Sequence, residues 1–492
     1  LRSPVKFGVL AAVLAMVPMA GVATAAPPVE WETCAGSGSL PGECATIEVP
    51  IDWADPAEGS FQLAIGRLPA RDQAKRVGVL FVAPGGPGSS GIDRYVLNPG
   101  IPEDSVLRDR FDIVTFDQRG VKRSNEVRCT QALLDQRPAE FPETEAEYQQ
   151  LLDYNRRLGE DCRELTGAVF DHVDTESVVR DIDAIRAALG EDKLSFYGAS
   201  YGTQVGQQYA ELFGGRVRAM TIDSNMDHSI TSGSKYIETA SADLEGSFLA
   251  FADWCARTED CALNDRNVRK VWTEIHAKAE AGQLPVTAEE LRGELMSGMY
   301  SPEKQWFPLA TRLAELADGT GALPAAGEPK AETGQNSYQA IWCQDWKWEV
   351  SGVGELRRYA ERANRVAPYT RISPFWSDVT SCLGWPSEVR NPQHRLDVRD
   401  APKILITKAK YDVATPRAWN YEVARQLRNT ALLEYEGIGH GQYYRSTCVR
   451  EQVEKYLVSL KAPGFGARCA AVWPKAPEPA TTADGPAVRP TH

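Results

Sequence analysis

Apolar positions along this chain fall into two patterns. Residues 77–83 and 111–116 are nearly continuous apolar runs, each closed by a turn-forming cluster, Pro84-Gly85-Gly86-Pro87-Gly88 and Asp117-Gln-Arg-Gly120. Runs without polar alternation predict strands covered on both faces, as in a parallel sheet. Residues 194–197, 217–223, 403–407 and 431–435 read the same way, whereas 61–68 alternates and predicts a half-buried strand. Val178, Val179, Ile182, Ile185 and Leu189 recur at helical spacing and stop at Gly190; residues 143–165, 203–213 and 449–460 also predict helices. Strands alternating with helices predict an α/β fold, with a mostly parallel sheet and crossover helices.

The strand signal fades between 226 and 396. That stretch is helix-rich and carries Trp254, Trp272, Trp306, Trp342, Trp346, Trp348, Trp376 and Trp385. It is too long for a loop, so a large helical cap inserted before the last strands is expected. The expected division is a leader over 1–25, a first core segment over 26–225, the cap over 226–396, a second core segment over 397–472 and a disordered Pro/Ala-rich tail over 473–492.

Composition narrows the picture. A net charge of −13 without a Lys/Arg-rich run argues against a nucleic-acid partner, which needs a dense basic patch. Arg2 and Lys6 precede an apolar run over 7–17 and then Ala23-Thr-Ala25, the order of a secretory signal peptide. Secretion is therefore expected, with no integral membrane segment after cleavage. Ten cysteines suit an oxidising compartment. Their spacing suggests the neighbours Cys34 with Cys44, Cys129 with Cys162, Cys255 with Cys261, Cys343 with Cys382 and Cys448 with Cys469, although spacing does not decide connectivity. A zinc site is the rival reading, but there is no Cys-x-x-Cys and no His pair at ligand spacing.

Gly198-Ala-Ser200-Tyr-Gly202 has the form G-x-S-x-G between a short predicted strand and a predicted helix. A sharp strand-to-helix turn there exposes a serine hydroxyl at the carboxyl edge of the sheet, the arrangement of an α/β-hydrolase nucleophile. Such a hydroxyl needs a base to take its proton and an acid to hold the base in one tautomer. Asp412 follows the predicted strand at 403–407, and His440 follows the one at 431–435, both at the same edge. Asp400 precedes its strand and points to the opposite edge. The backbone N–H of Tyr201 and that of Gly86 are the expected oxyanion donors. This chemistry requires neither cofactor nor metal.

Taken together, Pro84-Gly85-Gly86-Pro87-Gly88, Asp117-Gln-Arg-Gly120, Gly198-Ala-Ser-Tyr-Gly202, Asp412-Val-Ala-Thr-Pro416 and Gly439-His440-Gly441 resemble the prolyl-aminopeptidase family of α/β-hydrolases. Within it the chain is most similar to the secreted actinobacterial tripeptidyl aminopeptidases. It departs from the family in having Pro84 where the proline aminopeptidases have His, and Val-Lys-Arg after Gly120. The resemblance implies a monomeric serine exopeptidase that releases short peptides, tripeptides above all, from free N-termini. A carboxylesterase or lipase with the same triad is the alternative, and a catalytically silent binding module the remote one. An aminopeptidase must pair the substrate's ammonium with a carboxylate, because an unpaired charge in an enclosed cleft is costly. Asp345 is the expected anchor, with Glu245 the second choice.

Overall fold

The chain folds, in a computed structural model, as a ten-stranded sheet with helices on both faces, described for residues 29–34, 42–98, 100–320 and 332–476. The expected leader lies outside the described residues, as does the expected tail from 477 onward. Residues 473–476, expected to be disordered with it, instead lie against the insert, where the Trp254 indole donates to the Pro474 carbonyl and Trp473 packs on Trp306. Strands β1 (Glu32–Thr33), β2 (Glu43–Pro50) and β3 (Ser60–Leu68) are antiparallel. Then follow β4 (Gly78–Ala83) and β5 (Phe111–Phe116), a short β6 (Arg128–Thr130), β7 (Leu194–Ser200) and β8 (Val217–Asn225). After the insert, where β9 (Thr333–Gln335) pairs with β6, come β10 (Ile404–Tyr411), β11 (Thr430–Ile438) and β12 (Arg468–Cys469). The order is β1-β2-β3-β5-β4-β7-β8-β10-β11-β12, parallel from β5 to β12.

Every residue of β4 and β5 is buried, which explains their nearly continuous apolar runs; the two polar members of β5 are hydrogen-bonded, Asp112 accepting from the Ala70 N–H and Thr115 donating to the Val82 carbonyl. The two-residue strand period sends Phe81 and Ala83 to one face and Leu80 and Val82 to the other. The first face packs on helices Thr175–Ala188 and Tyr201–Phe213, the second on Gly91–Tyr95 and Thr447–Ser459. Strand order turns back at β4, between β5 and β7. A turn-back of this kind opens a crevice at the carboxyl ends of parallel strands.

Between β8 and β10 the chain is predominantly helical, as its fading strand pattern predicted. Seven of its tryptophans build two apolar clusters, one around Phe251, Trp272 and Trp306 and one around Tyr236, Trp342, Trp346 and Trp376, while Trp385 packs in the sheet's own core. Ala340, Ile341 and Cys343 of the insert join the sheet's own core. Disulfides link the five neighbour pairs that spacing suggested. No helix among the described residues is long and apolar enough to cross a membrane.

Candidate active site

Ser200 ends β7 and caps the Tyr201–Phe213 helix, with φ +60° and ψ −131°. A non-glycine residue in that region is strained by about 1–3 kcal/mol and persists only when its surroundings over-determine it. The two motif glycines supply that constraint. A Cβ on Gly198 would lie 2.2 Å from the Gly202 carbonyl oxygen, and one on Gly202 would lie 2.6 Å from that of Ala83. No side chain fits either position. The Thr203 hydroxyl then donates to the Ser200 carbonyl at 2.6 Å, tightening the first turn.

Asp412 and His440 meet across the ends of β10 and β11. His440 Nδ1 lies 2.9 and 3.0 Å from the two Asp412 oxygens. The same carboxylate accepts from the N–H groups of Ala414 (2.9 Å) and Thr415 (3.1 Å) and from the Thr415 hydroxyl (2.8 Å). Burial would push its carboxyl up, but His440 and these donors hold it below the usual carboxylate range. An ionised, fully satisfied acid is what holds an imidazole in one tautomer.

Neighbours that sequence reasoning did not single out lock the histidine loop. Asp223, at the end of β8, accepts from the N–H groups of Gln442 (3.0 Å) and Tyr443 (2.9 Å), and Ser224 Oγ accepts from that of Gly441 (2.9 Å). The His440 N–H donates to the Tyr300 carbonyl at 3.0 Å, and the two rings stand edge to face at 5.3 Å. Tyr300 belongs to the insert. So does Asp243, which accepts from the N–H groups of Asp412 (3.3 Å) and Arg417 (2.8 Å). The insert thus braces both His440 and Asp412.

Ser200 and His440 open into one cavity of about 830 Å³. Gly85, Gly86, Ala199 and Gly441 form its sheet side, and Tyr236, Tyr300, Tyr338, Trp342, Phe375 and Asp378 its insert side. Gly85 makes the close approach to Ser200, since an added Cβ would sit 3.3 Å from Ser200 Cβ. Gly86, with φ +110°, follows it in the same wall, and Tyr201 opens the helix behind Ser200.

The two acids expected to anchor the substrate are not in this cavity. Asp345 is fully buried; it accepts from the Thr175 N–H and hydroxyl, Gln204 Nε2 and Asn391 Nδ2, and it seals the seam beneath the insert. Glu245 is spent on the N–H groups of Tyr369 and Thr370 and on the Thr370 hydroxyl. Both serve the fold, because their oxygens are already occupied away from the site. Asp378, Tyr236 and Tyr338 stand in the wall instead. Nothing in the local sequence marks them except Asp378's nearness to Cys382. Asp400 lies against Gly214, at the other end of the sheet.

Two acid, cysteine or histidine groups have the reach to hold a metal among the described residues, and neither lines the cavity. Cys129 and Cys162 are a disulfide. At His172 the two ring nitrogens face different acids, Asp52 at 3.8 Å and Glu58 at 4.0 Å, with Arg390 3.7 Å from Asp52.

A family profile described as TAP-like protein matches residues 367–469, the stretch that carries Asp378, Asp412 and His440. The tripeptidyl aminopeptidase of Streptomyces lividans is 30% identical over 90% of this chain and 86% of its own length. The serine protease Hip1 of Mycobacterium tuberculosis is 29% identical over 90% of this chain and 91% of its own. Carboxylesterase B of Mycobacterium tuberculosis is 30% identical over 92% and 91%.

Proposed function

The chain belongs to the tripeptidyl-aminopeptidase-like family of α/β-hydrolases, and from that premise we propose that it is a secreted serine exopeptidase releasing tripeptides from free N-termini. The observation that carries the reading is the convergence of a strained Ser200 and an Asp412-bound His440 on one cavity. Its volume is in the range that encloses a small ligand.

In the proposed reaction Ser200 Oγ attacks the carbonyl carbon of the scissile amide while His440 takes the hydroxyl proton. Asp412 stabilises the imidazolium so formed. The oxyanion of the tetrahedral intermediate is held by the N–H groups of Tyr201 and Gly86. Collapse breaks the C–N bond, and His440 returns its proton to the departing amine. The N-terminal fragment is left esterified to Ser200. Water, deprotonated by His440, then hydrolyses this ester and regenerates the serine.

The test is product analysis on an unblocked peptide of defined sequence. Mass spectrometry should show masses falling in steps of three residues from the N-terminus. Internal cleavage, or release of single residues, would refute the tripeptidyl assignment. A second reading, a carboxylesterase, is favoured by the relative of that name at 30% identity and by the aromatic wall of the cavity. Turnover of short acyl esters without any turnover of peptides would establish it instead.

A further inference from the structure

Buried in the insert's side of the cavity is a carboxylate without a counter-ion. Asp378 is 3% exposed, and it forms no ion pair among the described residues. Glu303, the other acid in the cavity wall, is paired with Arg445. Both partners of the Asp378 carboxylate are neutral phenols: Tyr236 donates to Oδ2 at 2.6 Å and Tyr338 to Oδ1 at 2.8 Å. An ionised carboxylate offers about four acceptor positions, so two hydrogen bonds leave room for more. Burial raises its carboxyl to about 7 against the pull of the two phenols; Arg137, the one cation that draws on it, is itself paired with Glu140, which pushes the other way.

The group is also held still. Asp378 lies on the Trp376–Thr380 helix, and the Trp342 indole donates to its carbonyl at 2.9 Å. The Trp376 indole bonds the Glu140 carbonyl at 2.7 Å, and the Cys343–Cys382 disulfide ties this segment to the Ser337–Asp345 helix, which carries Tyr338. Around the carboxylate, Tyr236, Tyr338, Trp342 and Phe375 line the same cavity, and aromatic faces attract cations. A rigid buried anion framed by rings and lacking a cation suits an alkylammonium. An ammonium arriving there supplies the missing charge.

We propose that Asp378 binds the α-ammonium of the substrate's first residue, with Tyr236 and Tyr338 orienting its carboxylate, so that this wall selects peptides with free N-termini. The proposal rests on the exopeptidase reading and adds to it the residue that enforces it. A lysine side chain offers the same ammonium chemistry, so the substrates must separate the two sources.

The experiment compares kcat/KM of the wild-type protein and of Asp378→Asn on a free-amine tripeptidyl chromogenic amide, its N-acetyl form, an N-acetyl form carrying lysine, and a short acyl ester. Asp378→Asn should lower kcat/KM on the free-amine substrate by on the order of 10- to 1,000-fold. The free-to-acetylated ratio should collapse toward unity while ester hydrolysis survives. Equal loss on all substrates, or an intact preference for the free amine, would overturn the proposal. If the wild type favours the blocked lysine substrate and the variant loses that, the site takes a side chain and the α-ammonium assignment is wrong. Failure of the wild type to prefer free amines would instead remove the exopeptidase reading. Tyr338→Phe, at the edge of the cavity, covers the case of a misfolded aspartate variant. It should raise KM for the free-amine substrate severalfold more than for the ester; an equal change on both substrates, or no change, counts against the phenol's role.

Discussion

The sheet side and the insert side of the cavity are built on different terms. On the sheet side, Ser200, Gly85, Gly86 and His440 sit in turns that each follow a strand end. On the insert side, Tyr236, Tyr338, Trp342 and Asp378 come from three separate helices that meet through packing, hydrogen bonds to Asp378 and a disulfide. The first wall carries groups suited to bond making and breaking. The second carries groups suited to deciding what is held there. If that division is right, substitutions on the sheet side act on every substrate alike, and those on the insert side redistribute activity among substrates.

The largest effect belongs to Ser200→Ala. It should lower turnover of peptide and ester alike by about 10,000-fold or more, with thermal unfolding unchanged. Selective loss of one substrate class would break the division at its strongest point. Asp412→Asn should cost nearly as much, since an amide cannot hold the histidine in its tautomer. Asp400→Asn, at the far end of the sheet, should match wild type in the same assay. Replacing Cys343 and Cys382 together by Ser should reduce stability by about 2–4 kcal/mol in urea denaturation. It should also reduce kcat/KM for free-amine peptides more than for esters, because it loosens the helix that carries Asp378.

The smallest effect is an internal control. Asp345 and Asp378 are both buried in the insert, and burial lifts both carboxyls to about 7. They differ in what their oxygens face. Asp345→Asn should lose about 1–3 kcal/mol of stability, because an amide N–H₂ meets donors where the carboxylate accepted. The free-amine preference should stay as it is. The folded Asp345 carboxyl binds its proton more tightly than the unfolded one, whose usual value is 3.8. Its contribution to stability is therefore full below about pH 4 and is lost as pH rises toward about 7. Denaturation of Asp345→Asn across that window should show a flatter pH dependence than wild type. An altered substrate ratio in this variant would erase the contrast between the two acids.

Strand and helix positions were legible where a single environment dictated a whole run. β4 and β5 are buried throughout, and only Asp112 and Thr115 of β5 are polar. β10 runs on to Tyr411, past the expected end at 407, because Lys408 hides in it. That lysine is buried, with its ammonium 3.7 Å from Glu434 and 4.5 Å above the Tyr421 ring, and the sequence shows only a charge. The bracing of His440 by Asp223 and Tyr300 was not legible at all. Aspartate at a strand end and tyrosine at a helix end carry no local signature of what they will touch.

What the sequence determined by itself was the strand–helix alternation, the crowded turn at Gly198-Ala-Ser-Tyr-Gly202 and the placing of Asp412 and His440 after their strands. These depend on backbone sterics and short-range periodicity, so the residues concerned carry their own instructions. Tertiary structure alone decided which buried acid faces the cavity. Asp345, Glu245 and Asp378 are alike as letters in a helical, tryptophan-rich stretch. Their roles diverge because donors from distant segments saturate the first two, while the third meets two phenols and an opening. Whether a carboxylate is spent or available is a property of its assembled neighbours, and those neighbours are brought together only by folding.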